Sequence, residues 1–328
     1  MDLNLKGKVI LVTGGAGGIG AAICRACGQE LAVPVILDRD ADAAHQLQSK
    51  LQGEGINSEV IVVELTELSD VRTAIETVGD KLRRIDGVVN NAGTNDGVGL
   101  EHGSPEGFAA SLKQNLVHYY AVTQAALPFL IRSAGSVVNI GSKVALTGQG
   151  GTSGYAASKG AILGLTVEWA LELSPYGIRV NAVVPAEVMT PQYEEWLKKF
   201  PDPAEKLRSI ASKVPLGHRL TDPSEIASAV IFLLSPDQRS MTGQIHFVDG
   251  GYVHLAAVCG RGCSMAQRRA GAGPYADRRI SHRWPNSQSI TTRETSWSTL
   301  QTVMQSRNGL VKPNAAYTLK TRRSQHET

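Results

Sequence analysis

Tyr155 and Lys159 stand four positions apart in the stretch SGYAASKG, among Gly154, Ala156, Ala157 and Gly160. If the segment is helical, this spacing puts a phenol and an ammonium on one face, one turn apart. A phenol titrates near about 10 in water. It accepts a proton near neutrality only where its anion is preferentially stabilised, and a nearby positive charge does that. The small neighbours leave space for two ligands. Two readings stand at this point: a proton-transfer pair, or an exposed aromatic beside a solvated lysine.

A second stretch carries different chemistry. TGGAGGIG, residues 13–20, follows the β-branched run VILVT and opens a helical pattern. Gly14, Gly18, Ile19 and Gly20 then lie where a strand turns into a helix. A glycine turn there lets backbone amides approach a pyrophosphate, and the helix N-terminus adds partial positive charge. Asp38 closes the next apolar run, where a carboxylate accepts from both adenosine-ribose hydroxyls and repels a 2′-phosphate. NAD is therefore the expected cofactor. Arg39 stands next to it and could pair with that phosphate, so NADP is the weaker alternative.

The elements that must position these residues are legible as alternation. Short apolar runs at 9–13, 34–37, 59–63, 87–91, 136–140, 179–184 and 244–248 are separated by helical spacing at 18–31, 67–82, 106–131, 153–174 and 222–234. Such alternation predicts an α/β fold, a Rossmann-type doubly wound parallel sheet of seven strands with helices on both faces. The segment from Pro191 to Arg219 contains four prolines and reads as a lid, the substrate-covering part extending over about 188–219.

Charge divides the chain. Through Leu255 there are 21 basic and 27 acidic residues; from Ala256 there are 12 and 3, within an overall formal charge of +3. A mildly acidic body with scattered basic charge beyond it is not the pattern of a dedicated nucleic-acid binder. Residues 1–255 are therefore expected to form one domain, and the Arg-, Ser- and Gln-rich stretch 256–328 a disordered tail. Cys24 and Cys27 sit inside a helical pattern with no second pair or histidine near, and read as buried thiols, not metal ligands; Cys259 and Cys263 lie farther on. The start does not read as a signal peptide, and no apolar run reaches the roughly 20 residues that span a bilayer. No membrane association and a cytoplasmic location are expected.

Together these motifs resemble the short-chain dehydrogenase/reductase family over residues 5–255. The likeness rests on the glycine loop, NNAG at 90–93, Asn115 in KQNL, Ser142 in NIGS, the Tyr155–Lys159 pair and PAEVMT at 185–190. Within the family, NNAGTNDGVGL, NLVHYY, TGQGGTSGY and VDGGYVHL are most similar to the bacterial L-fucose dehydrogenases. The resemblance implies that Tyr155 is the general acid/base, Lys159 its electrostatic partner, Ser142 the clamp on the substrate oxygen, and Asn115 the holder of a relay water. It implies that Asn91 and Gly93 line the cofactor, Glu64 and Leu65 meet adenine, and Val188 and Thr190 hold the carboxamide. It implies a homotetramer built on helices 106–131 and 153–174. Ala186 stands where the family has Gly, and Leu31 where it has a small residue.

The family chemistry is hydride transfer with a coupled proton transfer. The expected reaction takes hydride from a sugar hydroxyl, C1 of an L-fucose-like pyranose, to NAD and yields the 1,5-lactone. Asn95, Asp96, Lys143, Gln149, Glu187, Tyr193 and Trp196 are polar or aromatic residues in loops after strand ends, and are the candidate substrate residues. His118 is expected to pack within its helix. Two other functions are carried alongside: a 3-oxoacyl or ketosteroid-type carbonyl reductase, and a catalytically silent dinucleotide-binding protein.

Overall fold

The computed structural model describes residues 2–259. The chain runs β1 (Val9–Thr13), α1 (Gly18–Gln29), β2 (Val33–Asp38), α2 (Ala41–Gly53), β3 (Glu59–Val62), α3 (Leu68–Leu82) and β4 (Gly87–Asn90). It continues through α4 (Pro105–Leu112), a π-helical turn (Lys113–Val117), α5 (His118–Ser133), β5 (Ser136–Ile140), α6 (Val144–Thr147) and α7 (Ser153–Leu173). Then come β6 (Arg179–Pro185), α8 (Pro191–Leu197), α9 (Pro203–Ala211), α10 (Pro223–Leu234), β7 (Ile245–Val248) and α11 (Tyr252–Cys259).

The seven strands form one sheet in the order β3-β2-β1-β4-β5-β6-β7. Every pairing is parallel, as at Val12 with Ile36 and with Val89. Successive side chains of a strand face opposite ways, so a strand covered on both faces must be apolar throughout. In β1, Ile10 and Val12 join one core, with Ile23 and Cys27 of α1 and Ile226 and Val230 of α10. Val9 and Leu11 join the other, with Ile75 of α3, Val122 of α5 and Ile162 of α7. Strand order reverses between β1 and β4, which opens a crevice at the carboxyl ends of those strands.

The expected seven-stranded doubly wound sheet is thus the observed one. The expected single helix over 106–131 is not: it is α4 and α5 joined by the π-turn. Within that turn the Asn115 side-chain amide donates to the Ser111 carbonyl (3.1 Å), the acceptor one α-turn back. The segment expected to form a lid contains two short helices, α8 and α9, which share a small cluster of Leu197, Ile210 and Leu220 apart from the two main cores. α11 runs to Cys259, past the expected domain boundary at 255. The reading of 260–328 as a disordered tail lies outside the described residues. Among the described residues, no helix is long and apolar enough to cross a membrane.

Candidate active site

The glycine loop leaves no room for side chains where it folds back on itself. A Cβ on Gly20 would lie 2.0 Å from the Gly14 carbonyl oxygen. Gly14 and Gly18 have φ of +60° and +52°, which L side chains rarely adopt. Gly17 caps α1 without any side-chain hydrogen bond, so the first amides of the helix face outward unpaired. Asn91 ties this loop to β4: its Nδ2 donates to the Thr13 and Gly14 carbonyls at 2.9 and 3.1 Å. The Thr13 hydroxyl accepts from the Asn91 and Ala92 amides at 2.9 and 3.1 Å.

A cleft of about 610 Å³ opens here, at the reversal of strand order. It is lined by every expected dinucleotide residue except Gly20: Gly14, Gly18, Ile19, Asp38, Glu64, Leu65, Asn91, Gly93, Tyr155, Lys159, Val188 and Thr190. The open amides, the glycine cradle and the cleft's size fit a dinucleotide. Asp38 accepts from the Ala16 amide (3.0 Å) and the Asp40 amide (3.1 Å), which fixes its carboxylate at the rim. Arg39 points to Glu64 at 3.5 Å. Glu64 also accepts from the Thr66 amide and hydroxyl, which with Arg39 hold its carboxyl below the usual range, the Thr66 amide having the largest effect. Its carboxylate is thus already engaged, a constraint on the adenine contact expected of it.

At the other end of the cleft, α7 presents Tyr155 and Lys159 on one face, with the Lys159 ammonium 5.6 Å from the Tyr155 ring centre. Lys159 is fully buried and Tyr155 partly so. Burial pushes the Tyr155 phenol up to about 12, against a hydrogen bond with Ser142 that pulls it down. Burial pushes the Lys159 ammonium down to about 7. Burial thus opposes the fall expected for the Tyr155 phenol from Lys159 and the oxidised nicotinamide together. A buried site penalises both charged forms.

Asn115 is fully buried in the π-turn. Its Oδ1 accepts from the Thr94 amide (2.7 Å), while its Nδ2 holds Ser111. The side chain therefore braces the loop after NNAG. Two features escaped sequence reasoning, and His118, expected to pack within its helix, is buried but also reaches the cleft. Tyr119 of α5 puts its hydroxyl 3.0 Å from the Lys159 ammonium. Asn90 donates to Thr123 and to Asn139, and Asn139 to Thr166, a buried polar chain across β4, β5 and their helices. His118 is buried against Tyr119 and lines the cleft, its ring nitrogens without hydrogen-bond partners. Burial and the Lys159 ammonium push its pKa down to about 4. The NLVHYY run carried the family likeness and helical spacing, neither of which shows that His118 and Tyr119 reach the cleft and Lys159.

The candidate substrate residues divide. Lys143, beside Ser142, forms a largely buried ion pair with Glu187, and its ammonium lies 4.1 Å from the Tyr252 ring centre. The Tyr193 hydroxyl donates to the other Glu187 oxygen at 3.1 Å, and the Tyr193 ring packs on Trp196 at 5.2 Å. The structure brings these four together. Asn95 and Asp96 instead accept from the amides of Gly97 and Val98 in their own turn, and Gln149 is exposed on the loop after α6. Thr190 caps α8 through the Tyr193 amide, and Glu187 and Met189 are pinned to Thr221 by backbone bonds of 2.8 and 3.0 Å. Cys24 and Cys27 are buried free thiols whose pKa values burial raises.

A family model described as enoyl-(acyl carrier protein) reductase matches residues 14–253. The L-fucose dehydrogenase of Bos taurus is 38% identical over 252 residues, which is 76% of this chain and 91% of that protein. The 3-oxoacyl-[acyl-carrier-protein] reductase of Thermotoga maritima is 37% identical over 253 residues, 76% of this chain and all of that protein. Among solved structures, the Cj0485 dehydrogenase is 44% identical with a TM-score of 0.74, covering 78% of this chain and 97% of that one.

Proposed function

Because the chain belongs to the short-chain dehydrogenase/reductase family of NAD(P)-dependent oxidoreductases, we propose that it is an NAD-dependent sugar dehydrogenase acting on C1 of an L-fucose-like pyranose. The observation that carries the sugar assignment is the Lys143–Glu187–Tyr193 cluster beside Ser142. The ammonium, carboxylate and phenol already satisfy one another, and the donor and acceptor positions they have left can be met by a ring of hydroxyls but not by an acyl chain or steroid. The Trp196 and Tyr193 rings supply an apolar face for the other side of a pyranose.

The glycine loop and the amides opening α1 would hold the pyrophosphate, Asp38 the adenosine ribose, and Val188 and Thr190 the carboxamide end. Asp38 supports NAD, since a fixed carboxylate repels a 2′-phosphate and Arg39 is directed to Glu64. When bound, the oxidised nicotinamide supplies the hydride acceptor and a positive charge. Ser142 holds the C1 oxygen. Tyr155 takes the proton of that hydroxyl as hydride leaves C1, and the carbon becomes the carbonyl of the 1,5-lactone. Lys159 orients the nicotinamide ribose and stabilises the phenolate. The segment 188–219, hinged where Glu187 and Met189 meet Thr221, closes over the substrate.

A carbonyl reductase is the second reading, favoured by the likeness to the Thermotoga maritima enzyme. The test mixes the protein with NAD or NADP and a panel of aldoses, and with NADH or NADPH and acyl or steroid ketones, following reduced nicotinamide by absorbance. The expected result is NAD reduction by L-fucose and its near relatives. Turnover of acyl or steroid ketones alone overturns the sugar assignment. Dinucleotide binding without any turnover assigns the chain to the silent binding proteins.

A further inference from the structure

Lys159 has three N–H donors and no carboxylate to receive them. Two go to neutral acceptors: the Ile140 carbonyl at 2.8 Å and the Tyr119 hydroxyl at 3.0 Å. The Tyr119 hydroxyl commits its own proton to the same Ile140 carbonyl, at 3.0 Å. The three groups close a triangle in which each fixes the others. With its proton committed, Tyr119 can meet Lys159 only through an oxygen lone pair, and only as the acceptor of an N–H. Burial raises the Tyr119 phenol well above its ordinary value, so it stays neutral and keeps that role. The third N–H is left for the cleft, which Lys159 lines beside Gly93.

We propose that Tyr119 is a positioning residue for Lys159: its hydroxyl aims the ammonium at the cleft and holds it charged. The proposal rests on the acid–base roles given above to Tyr155 and Lys159. Its physical ground is the cost of an ammonium in a site with no counter-ion. Burial alone pushes Lys159 down to about 7, so near neutrality its charge depends on each remaining acceptor. The titratable groups facing it are Tyr155 on its own helix and Tyr119 and His118 on α5, all three neutral at pH 7. Tyr119 is the one that contacts the ammonium through a hydrogen bond.

The test is Tyr119→Phe, which keeps the ring in its packing and removes the oxygen. Lysine labelled with carbon-13 at Cε reports the Lys159 titration in the dinucleotide-free protein, the signal being assigned by its loss in Lys159→Met. Removal of one hydrogen bond to a charged group is expected to lower the Lys159 midpoint by about one pH unit. The alkaline limb of kcat for oxidation moves down with it, because the neutral amine no longer supports the phenolate. An unchanged midpoint overturns the proposal. A lowered midpoint with an unmoved alkaline limb upholds the contact and counts against the role given to Lys159 in turnover. If Tyr119→Phe does not fold, 3-fluorotyrosine placed at 119 weakens the same acceptor at nearly constant volume. It must then shift the midpoint in the same direction, and an unshifted midpoint again overturns the proposal.

Discussion

Tyr155 carries the proton in the proposed reaction, and its surroundings set how the rate responds to pH. The acting form is the phenolate, which burial disfavours, so oxidation is expected to rise with pH from the acid side only until Lys159 loses its charge, at about 7 in the dinucleotide-free protein. Tyr155→Phe removes the proton acceptor and leaves the glycine cradle and Asp38 in place. It is expected to cut kcat by at least about 100-fold. Dinucleotide affinity, measured by titration calorimetry, should stay close to that of the wild type; a turnover loss below tenfold would remove Tyr155 from the role. Asp38→Ala takes away the charge that repels a 2′-phosphate and frees the Ala16 and Asp40 amides. The ratio of kcat/KM with NAD to that with NADP should fall, and an unchanged ratio places the discrimination elsewhere. His118 bears on stability instead. Its folded pKa of about 4 lies below the ordinary 6.5, so the unfolded chain binds the extra proton between those values. The stability it contributes is complete above pH 6.5 and is lost as pH falls through about 4, amounting to about 3 kcal/mol. His118→Leu should flatten the denaturation midpoint over that window. An unaltered slope means that the acid sensitivity comes from other groups.

Among the elements, the exit from α1 shows a local rule broken. The Ala32 amide bonds the Cys27 carbonyl and the Leu31 amide bonds that of Gly28, the pattern of a helix end closed by a left-handed residue. That residue is Leu31, at φ +61° and 62% exposed. Its conformation suits glycine, and its side chain gains little from packing. Leu31→Gly is expected to stabilise the protein by about 1 kcal/mol and raise Tm by about 2–4 °C. A lower Tm in differential scanning calorimetry would show that the leucine contributes packing that outweighs its strain. The π-turn between α4 and α5 is the opposite case, a deviation with a visible use. It delivers the Asn115 side chain to Thr94 and so fixes the loop beneath the cleft. Helical spacing on either side of it, at 106–112 and 118–131, reads as helix by itself, so the change of turn between them is visible only in the folded chain.

For the whole molecule, the uncovered apolar surface is the feature that two core clusters do not use. Tyr120 of α5 and Val167 and Leu171 of α7 are 52%, 53% and 74% exposed, and Tyr120 packs against Trp169 across the two helices. α7 is apolar around more of its circumference than one sheet face covers, which argues for burial against a second copy. A homotetramer assembled through α5 and α7 is expected in light scattering. The double substitution Val167→Glu and Leu171→Glu should release smaller species. A wild-type protein that scatters as a monomer at micromolar concentration refutes the assembly.

The alternation of β-branched runs with helical spacing determined the parallel sheet, because burial on both faces admits few residue types. The glycine loop and the Tyr155–Lys159 spacing were equally legible, since each is a local pattern a few residues long. Other features needed the folded chain. Lys143 meets Glu187 across 44 positions and Lys159 meets Tyr119 across 40. Nothing in KVAL or VHYY distinguishes these residues from an exposed lysine or a core tyrosine. Burial also opposes the fall expected at Tyr155, because the solvation of a charge depends on everything packed around it and not on its neighbours in sequence.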